Sequence, residues 1–147
     1  MSAEHNKATV RRWYLEIFGQ GNLALSDELC APDYLNHDPS APPSGWPRGP
    51  EGTRAIATTY RTAFPDVQFT IEDQIAEEDK VVTRWTGRGT NTGPLMGMPP
   101  TGRAMTITGI SIERFVDGKI AEVWVNFDLL GMLQQLGVVP VPGQGAG

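Results

Sequence analysis

Between Phe64 and Val67 the apolar residues of this chain change their spacing, and that switch constrains the fold more than any other feature of the sequence. Before it, Val10, Trp13, Tyr14, Ile17 and Phe18 recur at i, i+3, i+4, i+7 and i+8, one apolar helix face that Gly19 and Gly21 end. A second short helix is expected over Asn22 to Cys30. Pro50 suits a first helical position, Ile56, Tyr60, Ala63 and Phe64 give that third helix its buried face, and Pro65 stops it. After Pro65 the period is two: Val67, Phe69 and Ile71 alternate with Gln68, Thr70 and Glu72, as in a half-buried strand. Further strands are expected over Lys80 to Arg88, Met105 to Phe115 and Ile120 to Phe127, with a hairpin turn at Asp117-Gly118 and a closing helix from Leu129 to Leu136.

Helices, then hairpin-connected strands, then a helix describe an α+β domain with segregated layers. A curved, mainly antiparallel sheet wrapped on N-terminal helices leaves a hollow, and side chains must line that hollow without filling it. An internal pocket is therefore a physical expectation. Residues 1–137 read as one domain and 138–147, VVPVPGQGAG, as a Pro/Gly-rich tail dispensable for folding. The long loop SAPPSGWPRGP has the length of a lid or pocket rim.

The composition excludes several functions. Twelve basic against seventeen acidic residues give a net charge of −5, with no basic stripe for nucleic acid. No apolar run reaches the roughly 20 residues that span a bilayer, and the first residues lack the pattern of a secretory signal, so a cytoplasmic protein is expected. One cysteine and two histidines are too few for a transition-metal site, and neither a dinucleotide fingerprint nor a phosphate loop is present, so no cofactor is expected. Cys30, beside Leu25 and Leu29, reads as a small buried hydrophobe.

Four segments in order, Asp33-Tyr34-Leu35-Asn36, Gly97-Met98-Pro99-Pro100-Thr101, Phe115-Val116-Asp117-Gly118-Lys119-Ile120 and Gly131-Met132-Leu133-Gln134-Gln135-Leu136-Gly137, resemble the SnoaL-like polyketide cyclases over about residues 6–137. The resemblance implies a cone-shaped α+β barrel of the nuclear-transport-factor-like type, a deep ligand cavity and a homodimer formed through the sheet. It implies relatives among aromatic polyketide cyclases, related hydroxylases and, more distantly, limonene epoxide hydrolases. In the cyclases an aspartate on the last strand removes a proton next to a carbonyl before an intramolecular aldol closure. That position is Val125 here, and the position of a histidine on the preceding strand is Ser111; the asparagine after the Asp-Tyr-Leu triplet is kept as Asn36.

With the family's pair replaced, His37 is the acid/base candidate, because an imidazole titrates near neutrality. Asn36 is the candidate for holding a substrate oxygen. Tyr34, Tyr60, Phe64, Arg84, Met98, Ser111 and Val125 are the candidate substrate-binding residues, Arg84 for an anionic oxygen and Tyr60, Phe64 and Met98 for a planar apolar surface. Asp128 stands where a residue caps a helix, Glu122 has the parity of an outward residue, and Glu113 has the parity of Ser111 and Val125 but nears its strand's end. Three readings stay open: a cofactor-independent enzyme on a small hydrophobic carbonyl compound, a non-catalytic small-molecule binding protein, and an assembly module built on the sheet face. If parity holds, the outer face carries Ile110, Ile112 and Trp124, which need cover.

Overall fold

A computed structural model of the chain describes residues 2–143. The first helix, α1 (Ala3–Arg12), is capped by the Ser2 hydroxyl, which accepts from the His5 backbone N–H. It runs on into a wider π-helical segment, Trp13–Phe18, closed by the bond from Gly19 N–H to the Tyr14 carbonyl at 2.9 Å. The apolar face expected there is buried as Val10, Trp13, Tyr14, Ile17 and Phe18. The widening was not expected from an even 3.6 period, and π-helical turns of this kind recur at functional sites.

Next come α2 (Leu25–Leu29), β1 (Cys30–His37), α3 (Pro50–Ala63), β2 (Gln68–Glu77), β3 (Lys80–Thr90), β4 (Ala104–Val116), β5 (Lys119–Phe127) and α4 (Leu129–Gln135). The sheet order is β1-β5-β4-β3-β2, with three antiparallel pairs and one parallel pair, β1 on β5. This is the mixed α+β layering expected, laid out on an open sheet whose edges are β1 and β2. Among the described residues no helix is long and apolar enough to cross a membrane.

Two expectations are corrected. The second helix covers Leu25–Leu29 only, and Cys30 begins a strand rather than ending a helix. The sheet has five strands instead of four, because Cys30–His37 pairs with β5 through Leu35↔Glu122, Asn36↔Val123 and His37↔Trp124. Pro32, which cannot donate to a ladder, is tolerated because β1 is an edge strand. The chain leaves β1 through the rim loop and returns when Gly49 N–H donates to the Tyr34 carbonyl at 2.7 Å. Gly49 adopts φ +78°, and a Cβ there would lie 2.7 Å from the Pro32 carbonyl oxygen, so glycine is required.

β4 supplies the sheet's inward face: Met105, Ile107, Gly109, Ser111, Glu113 and Phe115 are buried and alternate with exposed residues that include Ile110 and Ile112. The long turn between β3 and β4 hangs on Asn91. Its amide donates to the Ala63 and Gly93 carbonyls at 3.3 and 2.8 Å and accepts from Thr101 N–H and Oγ1 at 2.9 and 3.0 Å. Asp128 caps α4, accepting from Gly131 N–H at 2.9 Å. Of the expected tail, residues 144–147 lie outside the described residues; Val138 N–H donates to the Leu133 carbonyl, and the Gln134 amide donates to that of Pro140.

Gly109 lets the Trp85 indole lie flat against β4: a Cβ there would overlap the ring and sit 3.0 Å from Phe127 Cβ. Gly109→Ala is therefore expected to lower stability by about 1–3 kcal/mol through overpacking. A urea titration of both proteins measures it, and an unchanged midpoint contradicts this packing.

Candidate active site

The helical layer and the inward face of the sheet enclose a cavity of about 80 Å³. Its walls are mostly aromatic and aliphatic, with Trp13, Tyr14, Phe18, Phe69, Trp85 and Phe127 among them. Tyr60, Phe64, Met105, Ile107, Val125 and Met132 complete much of the remainder. Tyr14 packs within 4.8 to 6.0 Å, centroid to centroid, of Trp13, Phe18, Phe69 and Trp85, so its ring is fixed and only its hydroxyl has a polar task.

Besides Tyr60 and Trp85, whose indole N–H is buried without a partner among the described residues, the polar side chains of Asn36 on β1 and Asp38 just after it line the cavity. The side chains of Tyr34, Asn36 and Asp38 follow a period of two, so the first two face inward and Asp38 continues that face into the rim loop. The Asn36 amide donates to the buried Tyr34 hydroxyl at 2.7 Å, and its own carbonyl oxygen is buried with no partner. That oxygen can accept from a ligand hydroxyl. Asp38 Oδ1 accepts from Ser40 N–H and Oγ, each at 2.6 Å, while the Tyr60 hydroxyl donates to Ser40 Oγ.

Behind Tyr14 lies a buried carboxyl group. The Tyr14 hydroxyl and Ser111 Oγ are 2.7 Å apart, Ser111 Oγ–H donates to Glu113 Oε1 at 2.6 Å, and Thr83 Oγ1–H donates to Glu113 Oε2 at 3.3 Å. Glu113 is fully buried, its strand neighbours across the sheet are Val81 and Val123, and Tyr14 is the titratable group facing it from the helical layer. Burial without a cation pushes its pKa up to about 8, against the pull of the two hydroxyl donors. Burial raises the Tyr14 phenol as well, so it stays protonated.

The residues expected to form the site fall into two groups. Asn36, Tyr60, Phe64 and Val125 line the cavity. His37 does not. It follows Asn36 on a strand, so its side chain emerges on the opposite face, where it stacks on Trp124 at 5.6 Å between centroids and donates to Glu122 at 2.7 Å. The His37 hydrogen bond, joined by Arg114, holds the Glu122 carboxyl below the usual range. Arg84 is exposed because Thr83 and Trp85 on either side of it point inward. Met98 closes a tight turn with Leu95, half-buried and away from the lining, and Tyr34 lies fully buried beneath Asn36. Ser111 is buried behind Tyr14 rather than in the wall. Cys30 is buried, which pushes its thiol up to about 11.

Asp38 and Tyr14 were missed as site residues. The signal for Asp38 was present: once 30–37 is a strand, parity puts Asp38 with Asn36. Tyr14 shares the apolar helix face of Val10, Trp13, Ile17 and Phe18, and nothing local distinguishes it from Trp13.

The sequence profile of the SnoaL-like polyketide cyclases matches residues 8–136. The chain belongs to the SnoaL-like polyketide cyclase family. Nogalonic acid methyl ester cyclase of Streptomyces nogalater is 33% identical over 123 residues, covering 82% of this chain and 89% of that protein. Aklanonic acid methyl ester cyclase DauD of Streptomyces sp. (strain C5) is 35% identical over 135 residues, covering 87% and 79%. Among solved structures, TsrD from Streptomyces laurentii superposes with a TM-score of 0.83 at 29% identity, covering 95% of this chain and 99% of that one. For this SnoaL-like chain the resemblance seen in its four motifs therefore holds, as does the mixed α+β fold with N-terminal helices, here on an open five-stranded sheet.

The buried carboxyl has a thermodynamic consequence in this SnoaL-like domain. A glutamate with a raised native pKa binds its proton in the folded chain where the unfolded chain has lost it, so stability falls as pH rises from the ordinary glutamate range to about 8. Glu113→Gln removes that dependence. Thermal melts from about pH 5 to about pH 9 should show wild type losing on the order of a few kcal/mol relative to the variant. Parallel profiles would contradict a neutral buried Glu113.

Proposed function

We propose that this protein closes a ring in a small, largely apolar carbonyl compound of polyketide type, moving protons with its own side chains and using no cofactor. One observation carries the reading: an aromatic-walled cavity in which a carboxylate, Asp38, and an unpartnered amide oxygen, Asn36, follow one another on one strand end. Abstraction next to a carbonyl needs a base near the acidic carbon, and the Asn36 oxygen can accept from a hydroxyl the compound carries. Asp38 is the base in this reading, since Oδ1 takes both bonds from Ser40 and Oδ2 makes none among the described residues. Asn36 Oδ1 accepts from a substrate hydroxyl and so orients the compound, and Tyr60, Phe64 and Val125 contact the ring system. His37 has no part in it, because its imidazole is held on the outer face.

The cavity is small beside the roughly 300–1,000 Å³ of sites that take drug-sized ligands. Entry of a polycyclic substrate therefore requires the rim loop and the flexible Met105 and Met132 side chains to yield. The names of the relatives supply the first compounds to try. Nogalonic and aklanonic acid methyl esters should each give a cyclised isomer of unchanged mass by chromatography with mass detection. Asp38→Asn should lower kcat by about two to four orders of magnitude with the melting temperature little changed. Full activity in that variant removes Asp38 from the role. Val125 lines the cavity where the family's carboxylate is expected, which favours a second reading as a binding protein. Saturable binding of both esters with neither altered would put that reading first.

We also propose that two copies associate through the outer face of the sheet, where Ile110, Ile112 and Trp124 are 52%, 37% and 37% exposed. Ile112 pairs across the ladder with both Val82 and Trp124, so the apolar residues form one patch rather than isolated points. Light scattering at micromolar concentration should give twice the chain mass, and Ile110→Lys should give the monomer. A monomeric wild type would overturn the proposal.

A further inference from the structure

We propose that Glu113 is the proton store of the cavity, feeding the substrate oxygen through Ser111 and Tyr14; this rests on the cyclase reading. The geometry is a continuous chain of three oxygen-bearing side chains with links of 2.7 and 2.6 Å, and of the three only Tyr14 lines the cavity. Both links are short enough for a proton to pass along each. The chain has two settings. With Glu113 ionised, Tyr14 donates to Ser111, Ser111 donates to Glu113, and Tyr14 shows the cavity a lone pair. With Glu113 protonated on Oε1, every hydrogen turns round and Tyr14 presents its phenolic hydrogen to the cavity. One buried carboxyl thus decides whether the cavity wall accepts or donates.

A carboxyl group buried among valines and bonded to two hydroxyls is penalised whenever it ionises. A glutamine could bond to the same hydroxyls and would carry no transferable proton. A function that needs a transferable proton accounts for the acid. Burial also keeps Glu113 protonated around neutrality, so the store is loaded in the resting protein.

In an aldol closure the steps balance without a further reactant. Asp38 takes a proton from the carbon beside one carbonyl, and the freed electron pair forms the new C–C bond to the second carbonyl carbon. The π pair of that carbonyl moves to its oxygen. The oxygen takes the phenolic proton of Tyr14, Tyr14 takes that of Ser111, and Ser111 takes that of Glu113, which is left as carboxylate. Once product leaves, Asp38 releases its proton to water and Glu113 regains one through Ser111 and Tyr14. Tyr14 touches the substrate in this scheme; Ser111 and Glu113 act through it.

Infrared spectroscopy tests the chain without turnover. At about pH 6 ordinary carboxyls are ionised, so the carbonyl stretch of a protonated acid should be visible in wild type and absent in Glu113→Gln. Tyr14→Phe should shift that band, and so should alizarin, a planar hydroxyanthraquinone used as the cavity probe. A band that is missing in wild type, or unmoved by both changes, overturns the proposal. With aklanonic acid methyl ester, Glu113→Gln and Ser111→Ala should each lower kcat by about 10²-fold while KM stays within about twofold. The double variant should be no slower than either single one, because one broken link already stops the relay. Additive losses, or full kcat in Glu113→Gln, would mean that Glu113 only supports the fold. If the ester is not turned over by wild type, the cyclase reading fails, and the infrared shifts still decide whether the chain reaches the cavity.

Discussion

The burial of one carboxyl group organises the centre of this molecule. Among the described residues no cation reaches the oxygens of Glu113, so hydroxyl groups satisfy them, and β3, β4 and the helical layer each contribute to that task through Thr83, Ser111 and, beyond it, Tyr14. The Tyr14–Ser111 bond joins residues 97 positions apart and pins the π-helical segment to the middle of the sheet. A second bond, within the helical layer, from Trp13 Nε1–H to Thr53 Oγ1 at 3.1 Å, ties the same segment to α3. These two bonds orient neighbouring aromatic rings whose remaining surfaces are apolar, and the cavity is the space those rings cannot fill.

The layering was legible because it rests on periodicity within contiguous segments. The 3.6 period of α1 and α3, the stop at Pro65 and the alternation of β4 need no partner to be seen. β1 was illegible for the opposite reason. Its stretch carries Pro32 and the polar Asp33, Asn36 and Asp38, and its pairing with β5 lies some 90 residues away along the chain. A parallel edge strand gains its stability from that distant ladder and from Tyr34 buried beneath it, neither of which leaves a local mark. The long turn after β3 is similar: its glycines and prolines were visible, but Asn91, which holds it, resembles any loop asparagine until the Ala63 carbonyl arrives.

The same missing strand explains what the sequence could and could not say about the site. Ranking residues by chemistry favoured His37, the histidine nearest the matched asparagine. Adjacent residues on a strand point to opposite faces, so choosing Asn36 for the cavity already directs His37 away from it. Asn36, Tyr60, Phe64 and Val125 were legible, the first and last through resemblance and the two rings through the buried face of α3 and its end. Arg84 was misplaced by the same neglect of parity, between Thr83 and Trp85. Glu113 carried the right parity, and its nearness to the strand end suggested solvent. That inference failed because β5 extends beyond it: Glu113 pairs with Val123, and the ladder continues to Val116↔Lys119.

The residues at positions 111, 113 and 125 make sense together rather than singly. Ser111 faces Val125 directly across the β4–β5 ladder, and Glu113 sits one inward position along. A carboxylate at 125 would lie within cross-strand contact distance of Ser111 and compete for its one proton. With Glu113 also ionisable, two acids would then share a site closed to water, and one of them would be forced to stay neutral. Valine at 125 removes the competitor and leaves the Ser111 hydroxyl shared between Glu113 and Tyr14 alone. A histidine at 111 would fill the narrow space between Tyr14 and Glu113 with a ring that is itself ionisable, whereas serine spans it with one hydroxyl at 2.7 and 2.6 Å. The acid in this chain lies in a protected place on β4, behind the cavity wall. Tyr14 is the route by which it can still be felt.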